Sequence, residues 1–175
     1  MAGIEETLRE RIRSIPDYPK KGILFRDITP VLKDGYAFGS CIDELAKHFA
    51  KEKIDYVAGI EARGFIIGGA LADALHVGFI PIRKQGKLPY KKISIEYELE
   101  YSKETMEMHE DAVEKGSRVL IVDDLLATGG TAAASAELLR RVGAKVVGFA
   151  FVVELSELRG RGKLGGARIV SLIRY

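Results

Sequence analysis

Apolar residues recur at helical spacing in several stretches of the chain. Positions 4, 8, 12 and 15 share one face, which predicts a short amphipathic helix that ends before Pro16. Positions 38, 41, 42, 45 and 49 predict a second helix in the same way. Small apolar residues predict a third helix over 65–76, and helices over 102–116 and 131–142 are predicted to stop at Gly116 and Gly143.

Continuous apolar runs alternate with these helices. Such runs are typical of strands that are buried on both faces of a parallel sheet, and the alternation is typical of α/β folds. We therefore predict one α/β domain over 1–175, with a mainly parallel central sheet flanked by helices. The predicted strands are 55–60, 77–84, 118–123, 145–153 and 168–173.

Two stretches depart from this pattern. In "KISIEYELEY" (92–101), apolar and aromatic residues alternate strictly with serine and glutamate, which predicts a half-exposed strand of a hairpin. Residues 16–35 contain three of the five prolines, and their turn-rich sequence predicts a connector. The apolar "ILF" within this connector predicts that it packs on the domain rather than forming a free linker.

Composition narrows the class of protein. The 175 residues include 27 basic and 25 acidic ones, and a net charge of +2 argues against nucleic acid as the main partner. No apolar run approaches the roughly 20 residues of a membrane span, and the N-terminus has no apolar core of a signal peptide. The single Cys41 excludes an intramolecular disulfide. A cytoplasmic location is therefore expected.

The stretch "VLIVDDLLATGGT" (119–131) carries the clearest chemistry. A loop between a buried strand and a helix N-terminus offers unpaired N–H groups and the positive end of the helix dipole to an anion. Gly129 and Gly130 allow close approach of the backbone, and Thr128 and Thr131 add hydroxyl donors. No lysine follows the glycines, so a terminal phosphate monoester fits this loop better than a nucleoside triphosphate does.

The two aspartates in this stretch need a separate reason. Asp123 and Asp124 would both reach a ligand only where the strand has just ended, because successive strand residues point to opposite faces. Beside a phosphate they are useful if they accept hydrogen bonds from vicinal hydroxyls or help hold Mg²⁺ through water. The pattern predicts a ribose 5-phosphate site. The alternative is an N-capping aspartate before an ordinary Thr/Gly loop.

These residues resemble the phosphoribosyl-diphosphate (PRPP) signature of the type I phosphoribosyltransferases. The segments "KKGILFRDITPVLKD", "GIEARGF", "RKQGKLP", "LEY" and "VVELSELRGR" occur in the order that this family uses, so the resemblance covers nearly the whole chain. It implies the family's fold, with a small hood from about 1–35 and 155–175 and a mobile lid loop over about 85–103. The ending "LLATGGT" is similar to the adenine-specific members.

The resemblance implies a role for each matching residue. Asp123 and Asp124 would bind the ribose hydroxyls, and residues 127–131 would cradle the 5′-phosphate. The "EARG" loop, which in this family often holds a non-proline cis peptide, would bind the diphosphate together with two lysines. One set of residues would bind adenine, and another would take part in catalysis from the lid and the diphosphate loop. The implied residues are Ala127, Thr128, Gly129, Gly130 and Thr131 for the phosphate; Glu61, Ala62, Arg63, Lys84 and Lys87 for the diphosphate; Phe25, Arg26 and Leu155 for adenine; and Glu100, Tyr101, Arg63 and Lys87 for catalysis.

Several of these residues could instead have an ordinary structural role. Arg63, Lys84 and Lys87 are also compatible with solvated surface charges, and Phe25 with a plain core residue. Glu100 belongs to a series of outward-facing glutamates. The resemblance further implies Mg²⁺ as cofactor, held mainly by PRPP and water without direct protein ligands, and a homodimer. The rivals are transfer to another base, such as hypoxanthine, guanine or xanthine, and a non-catalytic PRPP-sensing regulator.

Overall fold

A computed structural model describes residues 3–98 and 103–175, which form one seven-stranded sheet, one two-stranded ribbon and the helices packed on them. The strands are β1 Arg13–Pro16, β2 Leu24–Asp27, β3 Tyr56–Ile60, β4 Gly78–Lys84, β5 Lys92–Glu98, β6 Lys103–His109, β7 Arg118–Leu126, β8 Lys145–Glu154 and β9 Ile169–Arg174. The helices are α1 Ile4–Arg11, α2 Thr29–Lys33, α3 Gly35–Phe49, α4 Arg63–Leu75 and α5 Gly130–Arg141.

The large sheet has the order β5-β6-β4-β3-β7-β8-β9. Strands β4, β3, β7, β8 and β9 run parallel, and the β5–β6 hairpin joins β4 in antiparallel orientation. Alternate residues of β7 enter two separate cores, because successive side chains of a strand face opposite sides. Leu120 and Val122 pack with α3 and α4, whereas Val119 and Ile121 pack with α5. The predicted α/β class, with helices on both faces of a mainly parallel sheet, is confirmed.

Two of the helix predictions are wrong. Residues 102–116 were expected to be helical, but 103–109 form β6, which pairs with β5 along seven residues. Met106 and Met108 are buried in the sheet, and this packing outweighs the helical preference of glutamate, lysine and methionine. The first helix ends at Arg11 rather than before Pro16, and Ile15 lies in β1, opposite Phe25 of β2.

The segments predicted to form a hood meet at the C-terminus of the chain. β1 and β2 form the antiparallel ribbon, and the guanidinium carbon of Arg26 in β2 lies 3.7 Å from the centre of the Tyr175 ring. After β8 the chain forms short 3-10 helices over Ser156–Leu158 and Gly160–Leu164. It then enters the large sheet as β9. Within the described residues no helix is long and apolar enough to cross a membrane.

Candidate active site

The predicted phosphate loop is a three-residue connection from β7 to α5. Residues 127–131 all line one small cavity of about 70 Å³ at the N-terminus of α5. Gly129, the residue before the helix, has a φ of 78°, which favours glycine. A Cβ on Gly129 would also overlap the carbonyl oxygen of Gly160. Gly129 is thus required by backbone geometry, whereas a Cβ on Gly130 would meet only ordinary contacts, the nearest at 3.6 Å.

The N-terminus of α4 lies against the middle of β7 because Gly64 has no side chain. A Cβ there would lie 2.9 Å from the carbonyl oxygen of Val122 and 3.0 Å from a carboxylate oxygen of Asp123. This close packing brings the preceding Arg63 to Asp124, where its Nε donates to Oδ2 at 2.5 Å. Asp124 is only 6% exposed, so the bond holds a charge that would otherwise be buried alone.

The paired aspartates lie within β7 rather than beyond its end. The prediction that the strand stops at 123 is wrong, because β7 continues to Leu126 and pairs with β8 through Glu154. The Asp123 carboxylate accepts a hydrogen bond from the Asp124 N–H at 2.8 Å. Burial, together with the neighbouring carboxylate of Asp124, raises the pKa of Asp123 well above its usual value. Both side chains nevertheless line the main cleft.

The main cleft has a volume of about 520 Å³ and contains the predicted diphosphate residues. The Glu61–Ala62 peptide bond in its wall is cis, as the resemblance implies for this loop. Glu61 accepts hydrogen bonds from Lys87 Nζ at 2.7 Å, from Arg83 at 3.2 Å and 3.3 Å, and from the Lys84 N–H at 3.1 Å. Burial alone would raise the pKa of Glu61, but these bonds outweigh it and lower the pKa to about 2.

The loop that carries Lys87 is held at several points. The Gly86 N–H donates to the buried Glu107 carboxylate at 3.0 Å, and Lys92 pairs with the same carboxylate at 3.0 Å. Arg83 Nη1 donates to the Lys87 carbonyl at 3.0 Å. These contacts fix the first part of the predicted lid, and the lid's mobility stays a prediction.

The other predicted diphosphate lysine belongs to a network that reaches the phosphate loop. Lys84 Nζ lies 2.9 Å from Glu104 Oε1, and the Tyr97 hydroxyl donates to Glu104 Oε2 at 2.9 Å. The same hydroxyl lies 3.1 Å from Thr131 Oγ1. Burial, with Glu104 as neighbour, raises the pKa of Tyr97 to about 12, so the phenol stays protonated at neutral pH.

A second cleft, of about 500 Å³, contains most of the predicted adenine residues. Arg26 and Leu155 line it, together with Tyr175 and with Thr128 of the phosphate loop. Phe25 is half-buried outside this lining and packs edge-on against Tyr18 at 5.3 Å. Its predicted stacking on a purine stays a prediction. Glu100 and Tyr101 lie outside the described residues.

Sequence reasoning missed several residues of the site. The sequence predicts Glu104 within a helix, and it indicates no role for Arg83, Tyr97 or Glu107. The alternation in 92–101 placed Tyr97 on the inward face with Ile93 and Ile95, and this was the one signal that pointed to it.

Comparison with known proteins agrees with this geometry. The Phosphoribosyl transferase domain family matches residues 32–164. Adenine phosphoribosyltransferase of Brachyspira hyodysenteriae is 56% identical over 96% of this chain and 99% of its own length. The crystal structure of adenine phosphoribosyltransferase from Thermoanaerobacter pseudethanolicus is 55% identical, with a TM-score of 0.95 over 97% of this chain and 99% of that one.

A third relative was solved with ligands. The adenine phosphoribosyltransferase of Saccharomyces cerevisiae, complexed with an imino-altritol bisphosphate and adenine, is 42% identical, with a TM-score of 0.91 over 97% of this chain and 98% of that one. The fold and the family match thus define a phosphoribosyltransferase. Within that class, the chain belongs to the adenine phosphoribosyltransferase family.

Proposed function

We propose that the protein transfers the 5-phosphoribosyl group from PRPP to adenine and releases AMP and diphosphate. The observation that carries this proposal is the continuity of three compartments at one edge of the sheet. Thr128 lines both the adenine-side cleft and the phosphate cavity. Asp123, Ala127 and Thr131 line both the phosphate cavity and the main cleft. A ribose 5-phosphate fits between a base and a diphosphate in this arrangement, as required when the base replaces diphosphate on the ribose.

In the reaction, a purine nitrogen forms a bond to the anomeric carbon of the ribose while the bond from that carbon to diphosphate breaks. The transition state is expected to have oxocarbenium character, as in glycoside hydrolysis. The phosphate loop would fix one end of PRPP, and Asp123 and Asp124 would accept hydrogen bonds from the ribose hydroxyls. Arg63, Lys84 and Lys87 would balance the charge of the departing diphosphate.

Mg²⁺ is proposed as the cofactor. Among the described residues no group of three potential ligands is placed to hold a metal, and the Glu61 and Asp124 carboxylates are already paired with cations. A carboxylate that is already paired can still hold Mg²⁺ through a water molecule, because Mg²⁺ keeps most of its water and is bound mainly by substrate phosphates. Asp123 and Asp124 would hold it through water. When bound, the ion would neutralise the charge that develops on the diphosphate.

The proposed catalytic residues Glu100 and Tyr101 fall in the sequence between β5 and β6. Tyr97 and Glu104 are cross-strand neighbours, and Glu98 pairs with Lys103 at the last described position before residues 99–102. Closure of this hairpin would bring Glu100, as general acid or base, and Tyr101 to the purine. Closure would also exclude water, which would otherwise hydrolyse PRPP.

A cytoplasmic homodimer is proposed as the working form. Ile66 on α4 is 49% exposed and Phe79 on β4 is 37% exposed in the single chain. Large apolar side chains at such exposure are suited to an interface between subunits.

The test is to incubate the protein with PRPP, Mg²⁺ and one base at a time, and to follow the nucleotide product. We expect AMP from adenine and little product from hypoxanthine, guanine or xanthine. Product from another base alone would reassign the substrate. Absence of product from every base, with PRPP still bound, would favour the non-catalytic regulator.

A further inference from the structure

Glu104 links the two ends of the proposed PRPP site without belonging to any motif of the sequence. It lines the main cleft, and each carboxylate oxygen holds one partner, Lys84 at 2.9 Å and the Tyr97 hydroxyl at 2.9 Å. Tyr97 in turn contacts Thr131 of the phosphate loop at 3.1 Å. One carboxylate therefore contacts a proposed diphosphate ligand directly and reaches a proposed phosphate ligand through a tyrosine.

The three cations proposed to meet the diphosphate are each paired with a carboxylate. The pairs are Arg63 with Asp124, Lys87 with Glu61, and Lys84 with Glu104. Glu61 also accepts hydrogen bonds from Arg83, so it keeps a cationic partner when Lys87 turns away. Within the described part of the chain, Glu104 contacts one cation, Lys84, so this carboxylate loses its cationic partner whenever Lys84 turns to another anion.

Exchange at Lys84 is chemically straightforward. An ammonium group is a compact charge on a flexible stem with three donors, and it donates to a diphosphate oxygen as readily as to a carboxylate oxygen. The side chains of Lys84 and Glu104 are 53% and 30% exposed, so the pair is weak enough to open when a more highly charged anion enters. The freed carboxylate keeps its hydrogen bond from Tyr97.

We propose that Glu104 is a positioning residue that competes with the diphosphate for Lys84. This inference rests on the proposed function, which assigns Lys84 to the diphosphate. The competition weakens binding of PRPP and of the diphosphate product by the free energy of the ion pair. It holds Lys84 at the edge of the cleft before substrate enters, and it returns Lys84 to that place as diphosphate leaves.

The test is a double-mutant cycle with Glu104→Gln and Lys84→Gln in the full chain, with pyrophosphate and Mg²⁺ as the calorimetric probe. An exposed ion pair of this kind corresponds to about a two- to fivefold change in affinity. We expect Glu104→Gln to lower the Kd for pyrophosphate by about that factor when Lys84 is present, and to leave it unchanged in the Lys84→Gln background. The KM for PRPP should fall with it, and the KM for adenine should not.

Glu96→Gln is the matched control. Glu96 lies on the same hairpin and pairs with Lys103 at 2.7 Å, with both side chains more than half exposed, and it lines none of the three compartments. It should not change the Kd for pyrophosphate. The melting temperature of each variant establishes that it is folded.

Two outcomes would overturn the inference in folded variants. Equal tightening with and without Lys84 would indicate a general charge effect, and unchanged or weaker binding in Glu104→Gln would exclude competition. Failure of the proposed function is distinguishable, because it would appear as absence of AMP formation in the native protein, whatever the cycle shows. If AMP forms but the cycle shows no coupling between Glu104 and Lys84, the inference about Glu104 is wrong and the proposed function remains.

Discussion

Gly129 and Gly160 pack backbone against backbone, and neither position has space for a Cβ. Gly129 also has a positive φ, so an alanine there is both strained and too large. We expect Gly129→Ala to lower the free energy of unfolding by about 1–3 kcal/mol and to abolish most binding of AMP. Urea unfolding of this variant and of Gly130→Ala provides the comparison. Gly130→Ala should be nearly as stable as the native protein, and an equal loss in both would contradict the role given to Gly129.

The bond between Arg63 and Asp124 gives a second prediction. Asp124→Asn removes the charge that holds Arg63, as well as a charged acceptor for a ribose hydroxyl. Hydrogen bonds to charged groups contribute about 1.5–3 kcal/mol, so kcat/KM for PRPP should fall about 10- to 150-fold. Glu137→Gln removes only the exposed pair with Arg141 on α5 and serves as control. Unchanged kcat/KM in Asp124→Asn would remove Asp124 from the site.

Asp123 is expected to oppose stability and support function. Its pKa is raised by burial and by Asp124, so its ionised form is disfavoured in the folded protein. A raised folded-state pKa means that stability is lost as pH rises through it. Asp123→Asn should therefore raise the melting temperature at pH 7, with a gain that shrinks as pH falls towards about 4 and is absent below it, while kcat/KM for PRPP falls. Asp43→Asn on α3 is the control, and a lower melting temperature in Asp123→Asn would refute the expectation.

Glu61 should have the opposite pH signature. Its folded-state pKa is lowered from 4.5 to about 2, so its contribution to stability is present above pH 4.5 and is lost as pH falls towards 2. Unfolding measured at pH 7 and pH 3 should show a smaller acid-induced loss in Glu61→Gln than in the native protein. The same acid-induced loss in both proteins would show that Glu61 is not held by Arg83 and Lys87 in solution.

Glu100 gives a prediction for turnover. If Glu100 acts as general acid or base, Glu100→Gln should lower kcat about 10²- to 10⁴-fold, because that is the usual contribution of such a group. The melting temperature should not change. Glu98→Gln, two residues earlier on the exposed side of β5, should keep native turnover. Steady-state rates of Glu100→Gln equal to the native ones would remove Glu100 from the mechanism.

Most of the fold was predictable from sequence because its signals are local. The apolar runs of β3, β7 and β8 and the helical period of α3 identify buried elements without any tertiary knowledge. The glycine turn that leads into α5 was predictable for the same reason. In 102–116 local preference was misleading, because β6 depends on its pairing with β5 and on the burial of Met106 and Met108.

The charge network of the site could not be predicted in this way. Lys84 and Glu104 are 20 residues apart, and Arg63 and Asp124 are 61 apart. Which carboxylate pairs with which cation depends on strand order and register. Neither can be predicted from the spacing of residues within one segment. The steric need for glycine at position 129 could not be predicted either. It arises from contact with Gly160, which is distant in sequence and follows β8.

The continuation of β7 past its two aspartates affects the thermodynamics of binding. Leu125 and Leu126 remain paired with β8, so three residues complete the passage to α5. A segment this short, anchored at both ends, has lost its conformational freedom when the sheet forms. Association with a phosphate ester then requires little further ordering of this loop. We expect the heat capacity and entropy of AMP binding to reflect the base cleft and the hairpin rather than the phosphate loop.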